Sequence, residues 1–271
     1  MFAEGKNYWF LLCFREVAIR ILVTNDDGIQ SSGLTALAEK LGEVGDVTIV
    51  APAREVSGVS HALTLSAPLR YEKIEEQVFS VEGTPTDCVN LAVANLLPKP
   101  PDMIVSGINR GANLGDDVTY SGTVAGAMEG AILGIPSFAV SLASKSFDDY
   151  STAAEFSAQL ARILEDKKLP RKTFLNVNVP AEKIKGVQIT SQGSRSYRAS
   201  VEERIDPRSR VYFWIRQGFS RWDRNGMSDI NAVRGNMISV TPLHIDFTNY
   251  NALDELSSWG IAWNGKAGEK R

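Results

Sequence analysis

Short apolar runs alternate with longer stretches in which apolar residues recur every three or four positions, and this alternation governs the first two thirds of the chain. Ile21-Leu22-Val23 is too short for a helix and reads as a buried strand. Leu34, Leu37, Ala38 and Leu41 then recur at helical spacing, and Gly42 to Gly45 ends that helix. Val47-Thr48-Ile49-Val50 is a second strand, closed by Ala51-Pro52. Thr84-Pro85-Thr86-Asp87 has the form of a capping box with Pro at the first helical position. Met103-Ile104-Val105 and Phe138-Ala139-Val140 read as further strands, separated by a small-residue helix that begins near Ser121 and stops at Gly134 and Pro136. A longer amphipathic helix spans about 150–167, and Phe174 to Val179 alternates as a strand. Strand and helix in alternation predict a parallel sheet with crossover helices.

Beyond about residue 185 helical periodicity fades and turn residues multiply. The run from Gly193 to Gly226 holds eight arginines and no lysine, together with Tyr197, Tyr212, Phe213, Trp214, Phe219 and Trp222. Arginine and aromatics without lysine are the composition of an interface more than of a solvated face. An irregular surface region, or arginines that reach a substrate, are the other readings of the same run. The tail after Trp263 is rich in Gly, Lys and Glu and is expected to be disordered.

With 271 residues the chain is long enough for one large domain or a domain with an extension. A net charge of −3 gives no bulk attraction for a nucleic-acid polymer. Two cysteines, Cys13 and Cys88, make neither a disulfide framework nor a zinc pattern, and Cys88 reads as a small core residue. This usage suits a reducing cytoplasm. The apolar stretch Tyr8 to Phe14 is too short to span a bilayer and lacks a convincing cleavage site, so neither a membrane span nor a signal peptide is expected; an appended segment outside the fold, with no membrane partner, is the simplest reading, and a short amphipathic anchor is the alternative.

The candidate chemistry lies where strands end. Asp26 and Asp27 follow the first strand directly. Open parallel sheets bind ligands outside the carboxyl ends of their strands, and two adjacent carboxylates there repel one another unless a cation sits between them. Oxygen ligands suit Mg²⁺, Mn²⁺ or Ca²⁺. A helix cap at Asp26 beside a solvated Asp27 accounts equally well for the pair taken alone. The Gly- and Asn-rich loop Ser106 to Asp117 follows the Met103 strand and leads into Ser121-Gly122-Thr123, where hydroxyls and backbone N–H groups at a helix start would suit an anion. A simple Ser cap is the alternative. Of the two histidines, His61 could reach a substrate or act as a general acid, although a structural role fits it better, and His244 marks a hinge. Neither a Gly-x-Ser-x-Gly elbow nor a Gly-x-Gly-x-x-Gly fingerprint occurs, which argues against an α/β-hydrolase and against dinucleotide binding.

Asn25-Asp26-Asp27-Gly28, Ser57-Gly58, Gly83 to Val89, Ser106 to Asn109 and Tyr120 to Val124 occur in this order. Together they resemble the SurE family (survival protein E), metal-dependent 5'-nucleotidases. The resemblance runs over roughly 19–245 and continues through Asp206-Pro207-Arg208, Ser228 to Ala232 and Ile238 to Leu243, with Ser228 in place of the usual Thr. It implies a Rossmann-like three-layer α/β core with a mainly parallel sheet over 19–185. It also implies an extended hairpin region over 186–250 that exchanges between subunits in a homodimer or a dimer of dimers. Residues 251–271 would form a helix or tail, and residues 1–18 an appended segment outside the core.

The resemblance further implies one divalent cation per subunit, Mg, Mn or Ca, on Asp26, Asp27, Ser57 and Asn109. Phosphate contacts fall on Asn113, Ser121, Gly122 and Thr123. Asp26, Asp27 and Asn113 are the expected catalytic residues, with Asp26 orienting or deprotonating the attacking water; an aspartyl-phosphate intermediate is the rival mechanism. The expected activity is hydrolysis of nucleoside 5'-monophosphates, extending to 3'-monophosphates and short polyphosphate. A non-catalytic nucleotide-binding regulatory module on the same fold is the alternative.

Overall fold

A computed structural model describes residues 18–144, 146, 149–196, 200–216, 221–222 and 226–261. The expectation of an appended segment over 1–18 therefore lies outside the described residues except at its last position, as do Tyr197, Phe219 and the tail beyond 261.

The apolar runs become strands, and the most apolar of them sit at the centre. A nine-stranded sheet runs in the order β3-β4-β2-β1-β5-β6-β7-β13-β8, where β1 is Ile19–Thr24, β2 Gly45–Pro52, β3 Tyr71–Glu75, β4 Val78–Val81, β5 Met103–Arg110, β6 Ser137–Leu142, β7 Thr173–Val179, β8 Gly186–Ile189 and β13 Met237–His244. β4, β2, β1, β5, β6 and β7 are parallel throughout. β3 closes one edge antiparallel to β4, and β13 lies antiparallel to β7 with β8 parallel beyond it. The chain moves outward from β1 to β2 and then returns to place β5 on the other side of β1. That reversal makes the β1–β5 crevice the topological switch point, where open sheets of this kind bind ligands.

Each helix covers one side. α1 (Ser32–Leu41) is capped by Ser31, whose hydroxyl accepts the Leu34 N–H, and it buries Leu34, Leu37, Ala38 and Leu41. It packs with α4 (Ser151–Asp166) on one face of the sheet. There Ile21, Val23, Met103, Val105, Phe138 and Val140 form the larger core with them. On the other face α2 (Pro85–Leu91) packs against α3 (Gly122–Ile132). The capping box of α2 is complete, with Thr84 and Asp87 exchanging bonds as their spacing predicts. Cys88 of α2 is buried and free, and burial holds its thiol well above its ordinary pKa.

The sheet takes in part of the region beyond 185. β8 and β13 extend it, with the short helix α5 (Asp229–Arg234) packed on β13 and β7. What stands off the sheet is narrower than 186–250. It comprises the hairpin of β10 (Ser200–Ile205) with β11 (Val211–Arg216) and, at its root, a two-residue pairing of β9 (Arg195–Ser196) with β12 (Arg221–Trp222). Polar and apolar residues alternate weakly in β8, which hid it from a pattern search. The chain continues into the short helix α6 (Leu253–Ser258).

α3 lies unusually close to the strands because small residues line its inner face. A Cβ on Gly126 would stand 2.8 Å from Ser106 Oγ and 3.0 Å from Thr24 Cγ2. Gly126→Val should therefore overpack this contact and destabilise the fold by about 1–3 kcal/mol, read as a lower urea midpoint. An unchanged midpoint would mean that α3 moves freely against β1 and β5.

Candidate functional site

The loops at the carboxyl ends of β1, β2 and β5 meet over the β1–β5 crevice. They line a cleft of about 1000 Å³ that holds Asp26, Asp27, Glu55, Ser57, Asn109, Arg110, Asn113 and Ser121. Sequence separation between Asp26 and Ser121 is large, and only the parallel topology brings them together.

Asp26 is the best-buried carboxylate of this group, only 4 % exposed. The Thr123 hydroxyl donates to its Oδ1, and its backbone carbonyl accepts the Val56 N–H at 2.8 Å, which ties the Ser57 loop to the end of β1. Burial raises the Asp26 pKa to about 6; the Thr123 hydrogen bond opposes the rise, and the negative charge of Asp27 adds to it. Asp27 is also raised by burial, although the Arg110 N–H donates to its Oδ2 at 3.1 Å, and the neighbouring Glu55 charge adds to the rise.

The neutral oxygens are oriented by local bonds. Ser57 donates its hydroxyl proton to Glu55 Oε1 at 2.8 Å, which leaves the lone pairs of Oγ as acceptors. Asn109 Nδ2 donates to the Gly111 carbonyl at 2.8 Å, which leaves its Oδ1 as the remaining acceptor.

Asn113 rests on a polar network inside the sheet. Its N–H donates to Asn178 Oδ1 at 2.8 Å, its Nδ2 donates to Ser141 Oγ at 2.8 Å, and its carbonyl accepts from Asn176 and Asn178. One hydrogen of the Asn113 amide is thus engaged and the second can serve a ligand.

The four residues expected at the phosphate divide into two pairs. Asn113 and Ser121 line the cleft. Ser121 also caps α3, its hydroxyl accepting the Val124 N–H at 3.1 Å. Thr123 is fully buried, and its hydroxyl is turned to Asp26. Gly122 is packed behind the same carboxylate, and a Cβ there would lie 2.9 Å from Asp26 Oδ2. The partial positive charge at the α3 N-terminus therefore falls first on Asp26 itself.

Pattern reading did not find Glu55, Arg110 or Asp229. Glu55 and Arg110 looked like ordinary loop charges, and only the loops' convergence places them beside Asp27. Asp229, the first residue of α5, is fully buried. Its Oδ2 accepts the Gly115 N–H at 2.8 Å, and its Oδ1 accepts those of Gly193 and Ile230 at 2.9 and 2.7 Å. It thereby ties the loop before Ser121 to the root of the projecting hairpin. His61 Nε2 lies 2.6 Å from Glu129 Oε2, outside the carboxylate cleft.

The donor set suits a hard cation. Two carboxylates press on one another in a half-buried cleft, both with raised pKa values, and a hydroxyl and an amide oxygen face the same space. Among the described residues no group of three or more His, Cys, Asp or Glu side chains is placed to hold a metal. The neutral oxygens and water would therefore complete the shell, as Mg²⁺ and Mn²⁺ commonly allow.

The buried charge of Asp26 has a sign that can be measured. Its folded pKa, about 6, lies above the unfolded value, so the metal-free protein loses stability as pH rises between about 4 and 6. Asp26→Asn removes that charge. In EDTA at pH 8 it should melt above the wild type, by an amount equivalent to at most about 3 kcal/mol, and the gap should close by pH 4. A mutant that melts below the wild type at pH 8 would show that the carboxylate is satisfied without a cation.

Comparison with known proteins gives a consistent result. The family described as "Survival protein SurE" matches residues 21–199. A "5'-nucleotidase SurE" of Geotalea uraniireducens is 52% identical over 247 residues, covering 90% of this chain and 100% of that protein. One of Geobacter sulfurreducens is 53% identical over 248 residues, covering 90% and 95%. The crystal structure of the SurE protein from Aquifex aeolicus superposes with a TM-score of 0.79 at 42% identity, covering 89% of this chain and 99% of that one.

Proposed function

Because this chain belongs to the SurE family, we propose that it is a divalent-metal-dependent 5'-nucleotidase, hydrolysing nucleoside 5'-monophosphates to nucleoside and phosphate. The single observation that carries the reading is the Asp26–Asp27 pair at the sheet's switch point, facing Ser57 and Asn109 across one cleft. Hydrolysis of 3'-monophosphates and of short polyphosphate extends the same chemistry to other phosphate esters and anhydrides.

Asp26, Asp27, Ser57 and Asn109 would hold the cation, one per subunit. When bound, the ion supplies charge neutralisation at the phosphoryl oxygens and a water of lowered pKa. The protein's own residues do the rest. Thr123 holds the Asp26 carboxylate in one orientation, with its second oxygen beside Gly122. The Arg110 N–H does the same for Asp27. Asn113, fixed from below by Ser141, Asn176 and Asn178, would present an amide hydrogen to a phosphoryl oxygen, and Ser121 lines the same cleft. Asp26, at the end of β1 with one oxygen held by Thr123, is the carboxylate proposed to orient the attacking water and accept its proton. Gly122 and Thr123 contribute by keeping Asp26 against the helix start.

Assembly follows from the hairpin. Val201, Ile205, Val211, Phe213, Trp214 and Ile215 are all exposed on β10 and β11. A lone two-stranded hairpin is marginal in water, and one that carries this much apolar surface needs a second surface to cover it. A homodimer, or a dimer of dimers, meets that need. Among the described residues no helix is long and apolar enough to cross a membrane, and two cysteines without a disulfide framework suit the reducing cytoplasm proposed for the protein.

Four outcomes are expected. Phosphate release from a panel of nucleoside monophosphates should vanish in EDTA and return with Mg²⁺ or Mn²⁺. Asp27→Asn should lower kcat/KM by about 10²-fold or more while keeping the fold. Tight nucleotide binding without phosphate release under any metal would support the non-catalytic reading instead. Light scattering on the intact chain should report at least a dimer, and removal of 200–216 should yield monomers. A stable dimer lacking that hairpin would remove it from the interface.

A further inference from the structure

Ser57 sits on a stretch of chain with no strand or helix of its own. Between the end of β2 and the start of β3 the backbone forms only turns and bends, and bonds on either side of Ser57 fix its place. Before it, the Val56 N–H donates to the Asp26 carbonyl at 2.8 Å. After it, the Ser60 N–H donates to the Tyr120 carbonyl at 3.1 Å, and the Ser60 hydroxyl to the Thr119 carbonyl at 2.7 Å. The next residue, His61, places Nε2 2.6 Å from Glu129 Oε2 on α3. Only Ser57, Gly58 and Val59 lie between the two anchors, so a shift of the second passes directly to Ser57.

Local preference does not hold that stretch in shape. Gly58 is left-handed, with φ +75° and nothing within 4 Å of the place a Cβ would occupy. Ser60 is left-handed too, with φ +54°, a conformation that a residue with a side chain adopts rarely and that bonds from outside must maintain. Glu129 is the deepest of those anchors, only 5 % exposed. Its other oxygen accepts from Asn90 Nδ2 of α2 at 2.8 Å, and among the described residues His61 is the only basic side chain paired with it. Burying a carboxylate is costly unless it is bonded, so an apolar residue would serve packing alone better. The same helix carries Thr123, which bonds Asp26. About 9 Å of α3 separates Thr123 from Glu129. One rigid element thus holds a carboxylate of the cleft near one end and the Ser57 loop further along.

We propose that Glu129 is a positioning residue for the Ser57 oxygen and acts through His61: the pair latches the loop after β2 onto α3 and so sets Ser57 against Asp26 and Asp27 across the cleft. The proposal rests on the metal-dependent nucleotidase reading and adds to it residues outside the donor set. Removing an outer partner that orients a metal ligand commonly lowers metal affinity by about 10–100-fold.

The test is a double-mutant cycle on the intact protein, read as Mn²⁺ binding by calorimetry without substrate. His61→Ala, at a side chain that is 28 % exposed, should weaken Mn²⁺ binding about tenfold and leave the circular dichroism spectrum unchanged. His61→Gln, which keeps a donor at similar reach, should restore most of the affinity. Ser57→Ala should also weaken binding, and because the latch acts through Ser57, the double variant should bind no more weakly than Ser57→Ala alone. Glu129→Met breaks the latch from the helix side, leaves Asn90 bonded to the Thr86 carbonyl at 3.1 Å, and should reproduce the His61→Ala loss. Phosphate release from AMP by His61→Ala should return toward the wild-type rate as Mn²⁺ is raised to saturation. Wild-type Mn²⁺ affinity in folded His61→Ala or Glu129→Met would overturn the latch, as would losses that multiply in the double variant. Coupled losses in a protein that releases no phosphate from AMP would uphold the latch and overturn the nucleotidase reading alone. A wild type that binds no Mn²⁺ would overturn both.

Discussion

The placement of the Asp26 carboxylate is the constraint on which the rest of the site depends. It lies at the end of the central strand β1 and is almost fully buried, with Thr123 of α3 bonded to one oxygen and Gly122 packed against the other. A buried carboxylate without a cationic partner is unfavourable, and burial raises its pKa. The fold tolerates it because the α3 N-terminus points at it, and α3 can come that close only because Gly122 and Gly126 present no side chains to the sheet. The close helix, the strained charge and the open cleft are thus one arrangement. It leaves a buried negative charge facing an open cleft.

Below the cleft lies a second layer that carries no chemistry itself. Asn113, Ser141, Asn176 and Asn178 bond to one another across β6, β7 and the loop after β5, with Asn176 Oδ1 left buried and without a partner. Buried amides in a network of this kind hold one geometry well, since each displaced member would leave a partner unsatisfied. Asp229 and Gln192 extend the layer toward the hairpin: Asp229 bonds Gly115 and Gly193 together, and Gln192 Nε2 donates to the Gly115 carbonyl at 3.0 Å. The loop that carries Ser121 is therefore anchored to the root of the element proposed to join subunits. Ile215 of the hairpin also lines the cleft, so the projecting element reaches the candidate site.

The division between what the chain's pattern specifies and what its packing decides runs through particular residues. Strand and helix alternation up to Val179 is local: it depends on runs of three to six apolar residues, on the Thr84–Asp87 capping box and on Gly and Pro stops, all of which act within a few positions. The Asp26–Asp27 pair is equally local and marked the cleft without any structure. β8 and β13 were not legible as members of the main sheet, because their neighbours in space are β7 and each other, far away along the chain.

The same reason explains the polar contacts that the structure adds to the expected site residues. A hydroxyl at a helix start is a good anion ligand by its position in sequence, and Thr123 was read that way. Which anion it meets is decided by the crossing of α3 over β1, and it meets Asp26. Glu55 and Arg110 acquire meaning only when the loops after β2 and β5 converge, and Asp229 only when α5 folds back on Gly115. The sequence by itself determined the fold class, the element order and the two carboxylates, since these follow from short-range periodicity and adjacent charges. The tertiary structure alone decided the partner of each polar atom, because hydrogen bonds and buried charges depend on distances that no spacing along the chain encodes.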